Sequence, residues 1–407
     1  MSNQTFLIGT GGKTIYACRL THDGQLLPLH ENKSGQGPSW LLAQDDLLYA
    51  ANEHDDKIEI FTIDDSIQGR LTSKNIISSQ GSTPCSLDID STGKWLAVAN
   101  YGGNGSSNFV LLPLNKSNIP EENNAQIVSI DGHGPNHDRQ SHSHCHQVKF
   151  YQNNLYVIDL GTDTINVYHY DDTNGQAHLH CDRIKTQPDG HGPNHDRQSH
   201  SHCHQVKFYQ NNLYVIDLGT DTINVYHYDD TNGQAHLHCD RIKTQPGAGP
   251  RHILFHPDKS LAFVTNELDS TTNVYQIDSM IGKFEHLQTI TTRRKNDEKE
   301  NSPAELQLTP DKKYLLVSNR GDENIVIYNL NDNNNNNNQV LSIKGYLDIH
   351  GSGPRYFTFD PTGHFLLVAN QNSNNLICFS YNRNKDTFEF ISQLVNIESP
   401  QHIVFIS

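Results

Sequence analysis

The sequence predicts an all-β fold, a β-propeller of four-stranded blades. Three observations predict it. Residues 131–188 and 189–246 are the same 58-residue string written twice without a mismatch, and the string reads as four short β runs between turn residues. A weaker form of this repeat runs through the whole chain, opening on a small residue and a proline at Pro38, Pro84, Pro135, Pro193, Pro250, Pro303, Pro354 and Pro400. The first unit begins in mid-repeat and the last stops after one strand, so the two ends complete one blade between them. Old repeats drift, so the perfect identity marks either a very recent duplication or an error in the gene model.

Each element follows in order. The small residue and proline lead into an alternating first strand, as in GQGPSWLLA, GSTPCSLDI, GAGPRHILF, SPAELQL and GSGPRYFTF. A tight turn comes next, for example Asp360-Pro-Thr-Gly363. The second strand is an apolar run ending in a polar residue: Asn52, Asn100, Asp159, Asp217, Asn266, Asn319 and Asn370. A third, alternating run follows (KIEIFTI, NFVLLPL, TINVYHY, TTNVYQI, NIVIYNL, NLICFSY), and then a looser fourth. Short runs of period two between regular turn signals are strands, and no helical period competes with them. TFLIGT (residues 5–10) reads as a second strand and HIVFI (residues 402–406) as the first strand of the same blade. Their pairing closes the ring and leaves no edge open. With that composite blade the expectation is eight blades in a single domain, residues 1–407, provided the duplicated blade folds.

Composition narrows the function. Hydrophobic residues are 34% of the chain, which suits many small sheets joined by polar loops. A net charge of −16 provides no basic field for nucleic acid or an anionic membrane. No apolar stretch is long enough to cross a bilayer, and MSNQTFLIGT lacks the charged start and apolar core of a signal peptide. Seven scattered cysteines fit free thiols in a reducing cytosol, so a cytoplasmic protein is expected. The asparagine run at 333–338 and the polar stretch 292–301 read as loops without a function.

Propeller geometry points to where chemistry could sit. The start of a first strand and the end of the second lie side by side at one face, which brings Arg251 and His252 of GAGPRH to Asn266 and Glu267 of TNELDS. The same reasoning adds Arg320, Arg355 and the histidines of SHSHCHQ. Guanidiniums can hold an anionic substrate and polarise a carbonyl, while imidazole or carboxylate activates water. Glu267 stands out because the matching positions of other blades hold Tyr101, Leu160, Leu218, Arg320 and Gln371, with Glu53 the one other acid. Arg355 repeats the place of Arg251, which gives both a structural reading as ties at the blade junction. The recurring Asn and Asp that end the second strands read as structural, since short polar side chains satisfy turn backbone. Arg139 and Arg197 lie in an inter-blade loop where they could clamp a phosphate or be solvated.

GHGPNHDRQSHSHCHQV, YVIDLGTDTINVY, GAGPRHILFHPD, FVTNELDSTTNVY, LLVSNRGDENIVIY and FDPTGHFLLVANQNSNNL resemble the lactonase family of seven-bladed propellers over nearly the whole chain. That family contains propeller-type 6-phosphogluconolactonases and carboxymuconate-lactonising enzymes. The resemblance implies hydrolysis of 6-phosphoglucono-δ-lactone in the oxidative pentose phosphate pathway, with a small phosphorylated sugar lactone as substrate and no cofactor. The alternatives are a muconate-type lactonising enzyme or a non-catalytic binding scaffold. Carried over residue by residue, the resemblance places catalytic roles on His202 or His204, Arg251 and Glu267. It also carries a further active-site arginine onto Arg320, and with the loop and channel-mouth reading above the substrate-binding candidates are Arg197, Arg320 and Arg355. His142, His144 and His146 could converge on zinc from one strand face, but no metal is expected. The departure from the family is one blade too many, which separates the two natural neighbours of the histidine segment and is expected to impair activity.

Overall fold

In the computed structural model, residues 3–406 are described except 103–106, 135–139, 152–153, 172–175, 180–183, 186–191, 200, 211, 229–234, 238–240, 279–282, 295–298 and 332–338. Arg139, Cys181, Cys239 and the asparagine run therefore lie outside the described residues. The chain divides into two compact units, one of Met1–Pro188, Asp230–Gln234 and Asn396–Ser407, the other of Asp189–Asp229 and Ala235–Val395. Each contains four antiparallel blades. The duplicated segment forms two of the eight, one per unit. No α-helix occurs among the described residues; a single 3-10 turn spans Glu122–Asn124.

In the first unit the composite blade forms as the sequence predicts. Gln4–Thr10 pairs antiparallel with Pro400–Ile406, from Thr5 opposite Ile406 to Thr10 opposite Pro400, and the Phe6 and Phe405 rings lie 5.5 Å apart. The second strands are buried along nearly their whole length, as in Leu47–Asn52 and Trp95–Asn100 here. They have sheet on both faces, which is why their sequences are continuous apolar runs rather than alternations. Apolar side chains from adjacent blades interlock in three clusters, around Leu7 and Phe61, around Tyr49 and Val98, and around Phe109 and Val157. Each fully buried Leu, Ile or Phe contributes roughly 1.5–3 kcal/mol relative to exposure.

The second unit repeats the plan, with clusters around Tyr214 and Val264, Phe263 and Tyr328, and Phe357 and Phe379. Its first strands, Cys203–Tyr209, Pro250–Phe255, Ser302–Leu308 and Pro354–Phe359, lie next to one another. Fourth strands are the exposed edges and alternate weakly, as in Lys283–Thr291. In both duplicated blades the fourth strand is split into two short pieces on one partner; Ala235–Leu237 and Ile242–Lys243 both pair with Thr222–Tyr228.

Two repeated local features set up the site. In six blades the backbone turns left-handed four residues after the polar residue of the second strand: at Asp56 and Asp163 in the first unit, and at Asp221, Ser270, Glu323 and Asn374 in the second. The first strands carry a β-bulge just after the residue that opens them, between Cys203 and Gln205, Pro250 and His252, Pro303 and Leu306, and Pro354 and Tyr356 in the second unit. A bulge leaves one residue out of the ladder and re-aims its side chain. The residues so released are His204, Arg251, Ala304 with Glu305, and Arg355.

Candidate active site

Arg251 is aimed by the loop that precedes it. The Asp221 carboxylate accepts the backbone N–H groups of Gly247 at 2.6 Å and Gly249 at 2.7 Å, and also Nε2 of Gln198 at 2.7 Å. Gly249, at φ +62, accepts the N–H of Glu267 through its carbonyl at 2.7 Å. A Cβ on Gly249 would lie 2.4 Å from Cγ of Leu268, so this close crossing needs glycine. The strap therefore fixes the backbones of Arg251 and Glu267 against each other, and through Gln198 it also fixes the turn carrying Arg197.

The side chains meet as the spacing predicts. Glu267, with its side chain 4% exposed, accepts Nη1 of Arg251 at 2.5 Å on Oε2 and Nη2 of Arg197 at 2.7 Å on Oε1. Nη2 of Arg320 stands 3.3 Å from Oε2, while its Nε donates to the carbonyl of Ser302 at 3.0 Å. Three guanidiniums thus surround one carboxylate. Burial alone would raise the Glu267 carboxyl, but Arg251, Arg320 and Arg197 outweigh it and hold the group down to about 2. The partner responds differently. Burial, with repulsion from Arg320 and Arg355, outweighs the attraction of Glu267 and lowers Arg251 to about 10. Both remain charged at neutral pH, and the cluster keeps a positive surplus. Nε of Arg251 is buried with no hydrogen-bond partner in the protein, so a donor is available in a cationic setting.

The other candidates fall in two groups. His204 lies with its ring 5.1 Å from that of His252, and His202 is one step back with its ring 6.2 Å from His204. His202 is held through its backbone, donating to Oδ1 of Asp217 at 2.7 Å. Arg355 is exposed on its bulge, and its charge is felt by Arg251 and Arg320. The polar ends of the second strands are structural; Nδ2 of Asn319, for instance, donates to the carbonyl of Thr292 and to Oδ1 of Asn324. Among the described residues no group of three His, Cys, Asp or Glu is arranged to hold a metal.

Glu305 was missed by sequence reasoning. Its Oε2 lies 3.8 Å from Nδ1 of His252. Burial pushes its carboxyl up to about 7 against the N–H of Leu306 and the charges of Arg251 and Lys207. The available signal was the repeat itself: Glu305 occupies the bulge that carries Arg251 and Arg355 in other blades, but one residue further from its proline. An open cleft of about 560 Å³ abuts the cluster, lined by Arg197, Glu267, Asp269, Arg293, Lys299 and Asn301 among others. Glu267 is its shared wall, since Arg251 and Glu305 are not part of the lining.

The first unit shows the other copy in different company. His144 stacks on Tyr101 with ring centroids 4.7 Å apart, and its Nδ1 lies 2.8 Å from the Tyr101 carbonyl oxygen. Lys149 pairs with Asp88 at 2.9 Å, whereas its duplicate Lys207 acts on Glu305 and His252.

Comparison with known proteins agrees with this architecture. The family model described as "Lactonase, 7-bladed beta-propeller" matches residues 5–195 and again 182–405, and the break falls at the duplication. A 6-phosphogluconolactonase of Formosa agariphila is 28% identical over 327 residues, covering 79% of this chain and 73% of that protein. A 6-phosphogluconolactonase of Bacillus subtilis is also 28% identical; there the match covers 53% of this chain and 60% of the relative's own length. The solved periplasmic gluconolactonase of Pseudomonas aeruginosa superposes with a TM-score of 0.64 at 24% identity, covering 100% of this chain and 99% of that one, a likeness of fold.

Proposed function

The chain belongs to the lactonase family of seven-bladed β-propellers, and from that membership we propose that it hydrolyses a sugar lactone, 6-phosphoglucono-δ-lactone to 6-phosphogluconate. The observation that carries this reading is the cage of Arg197, Arg251 and Arg320 around Glu267. Glu267 organises the guanidiniums and is a poor base, because its proton affinity is spent on three cations. Arg251, charged and seated beside Glu267, supplies positive charge at the carbonyl oxygen, where negative charge grows as water adds. Arg197, whose side chain is 41% exposed, faces the cleft beside Lys299 and is the contact for the phosphate. The reading includes a reducing, cytoplasmic setting and the second step of the oxidative pentose phosphate pathway. It is supported there by free thiols at all five described cysteines.

The test is a coupled assay of the full chain on 6-phosphoglucono-δ-lactone beside glucono-δ-lactone. The phosphorylated substrate is expected to have a kcat/KM higher by about tenfold or more, the worth of one charge-assisted contact of about 1.4 kcal/mol. No hydrolysis of either above the spontaneous rate overturns the reading; turnover of a muconate diacid instead moves it to lactonisation.

A further inference from the structure

We propose that Glu305 is the general base of the reaction, taking the proton of a water held between its Oε2 and Nδ1 of His252. This rests on lactone hydrolysis as the activity. The geometry comes first. The bulge after Pro303 frees Glu305 from the ladder, its N–H donates to Oγ of Ser318 at 3.1 Å, and its Oε1 accepts the N–H of Leu306 at 3.1 Å. One carboxylate oxygen therefore fixes the side chain, and Oε2 is left facing His252. Their 3.8 Å separation is too long for a direct hydrogen bond and short enough for one water to bridge. Nδ1 of His252 is buried and has no hydrogen-bond partner in the protein. A structural role for Glu305 accounts for Oε1 and leaves Oε2 and that nitrogen unexplained.

The charges around the pair suit the task. Around Glu305 are Arg251 and His252 on one neighbouring strand, Lys207 on the next, and Tyr356 beside Arg355 on the far side, while His204 packs its ring against that of His252. Burial and the cations Arg251, Arg320 and Lys207 hold His252 well below its ordinary value, so it is neutral and can accept or donate at Nδ1. Burial keeps Glu305 near 7, where half the sites are ionised at neutral pH and the conjugate acid is strong enough to return its proton. Glu267, at about 2, cannot do this.

In the step, the water oxygen forms a bond to the acyl carbon while one of its protons passes to Glu305. The carbonyl electron pair moves to the oxygen facing Arg251. That pair then returns, the ring C–O bond breaks, and the ring oxygen takes the proton back from Glu305 as a hydroxyl. The product acid ionises and releases one proton to solvent.

The full chain is assayed first on 6-phosphoglucono-δ-lactone. An inactive parent overturns the lactonase reading and this one together, before any variant is made. In an active parent, kcat is expected to rise with pH through a single ionisation near 7. Glu305→Gln, which keeps the contact to Leu306, is expected to lower kcat at least about a hundredfold with KM within about threefold, and to remove that ionisation. The same variant is expected to melt higher at pH 8, because it removes a charge the fold disfavours, so that a lost turnover is not a lost fold. Should Glu305→Gln fail to fold, Glu305→Asp is expected to keep the acid limb at a reduced kcat. A parent with a flat profile between pH 5.5 and 8, or Glu305→Gln (or Asp) with kcat within threefold, overturns the proposal and leaves the lactonase reading standing.

Discussion

Glu267 and Glu305 are carboxylates of one unit displaced in opposite directions, and the displacement fixes what each does to stability. Glu267 is lowered from 4.5 to about 2, so its contribution is fully present above pH 4.5 and is lost as the pH falls toward 2. The shift is worth about 3 kcal/mol at neutral pH. Removing it strands three buried or half-buried guanidiniums, which costs more than the pair itself is worth. Glu267→Gln is therefore expected to lose about 3–5 kcal/mol at pH 7, read from urea unfolding, and to lose progressively less as the pH falls from 4.5 toward 2. Glu305 has the reverse sign: its raised carboxyl costs stability increasingly as the pH rises from 4.5 through 7. The sequence exposed Glu267 because the repeat puts other residue types at its position. It hid Glu305 because two residues, not one, fall in that blade's bulge, and a period-two reading has no place for an extra residue.

At the scale of elements, the strap from Gly247 to Gly249 positions the chemistry. Gly249→Ala must find room where Leu268 already sits and must hold φ +62, a strained state for alanine. It is expected to destabilise the chain by at least about 1 kcal/mol and, by moving Arg251 off Glu267, to lower kcat more than a mutation of equal stability cost in an outer strand. Matched melting curves and lactone kinetics check this. The strands themselves were legible to the extent that they are buried. Second strands announced themselves as unbroken apolar runs, first and third strands as alternations, and fourth strands only loosely because one side faces solvent. The division of the fourth strand in both duplicated blades into two pieces left no mark that polar loop sequence does not also leave.

At the scale of the whole molecule, the duplication is an experiment already done on the histidine segment. Identical sequences keep different halves of one environment: His144 rests on Tyr101 in the first unit, and His204 rests on His252 in the second. Removing one copy, either of which yields the same shorter chain, returns one histidine segment to both sets of neighbours. Reacting groups displaced by about an ångström can cost a hundredfold in rate, so the chain lacking residues 189–246 is expected to hydrolyse lactone at least about tenfold faster than the full chain. Equal rates would show that the histidines of one copy suffice.

If the guanidinium cage around Glu267 stabilises the oxyanion of a hydrolysed lactone, Arg251→Ala in the full chain removes one cation from it. In that variant kcat on 6-phosphoglucono-δ-lactone is expected to fall by about 10²–10³-fold, the usual loss for one preorganised oxyanion donor, with the fold retained. A kcat within threefold of the parent would contradict it.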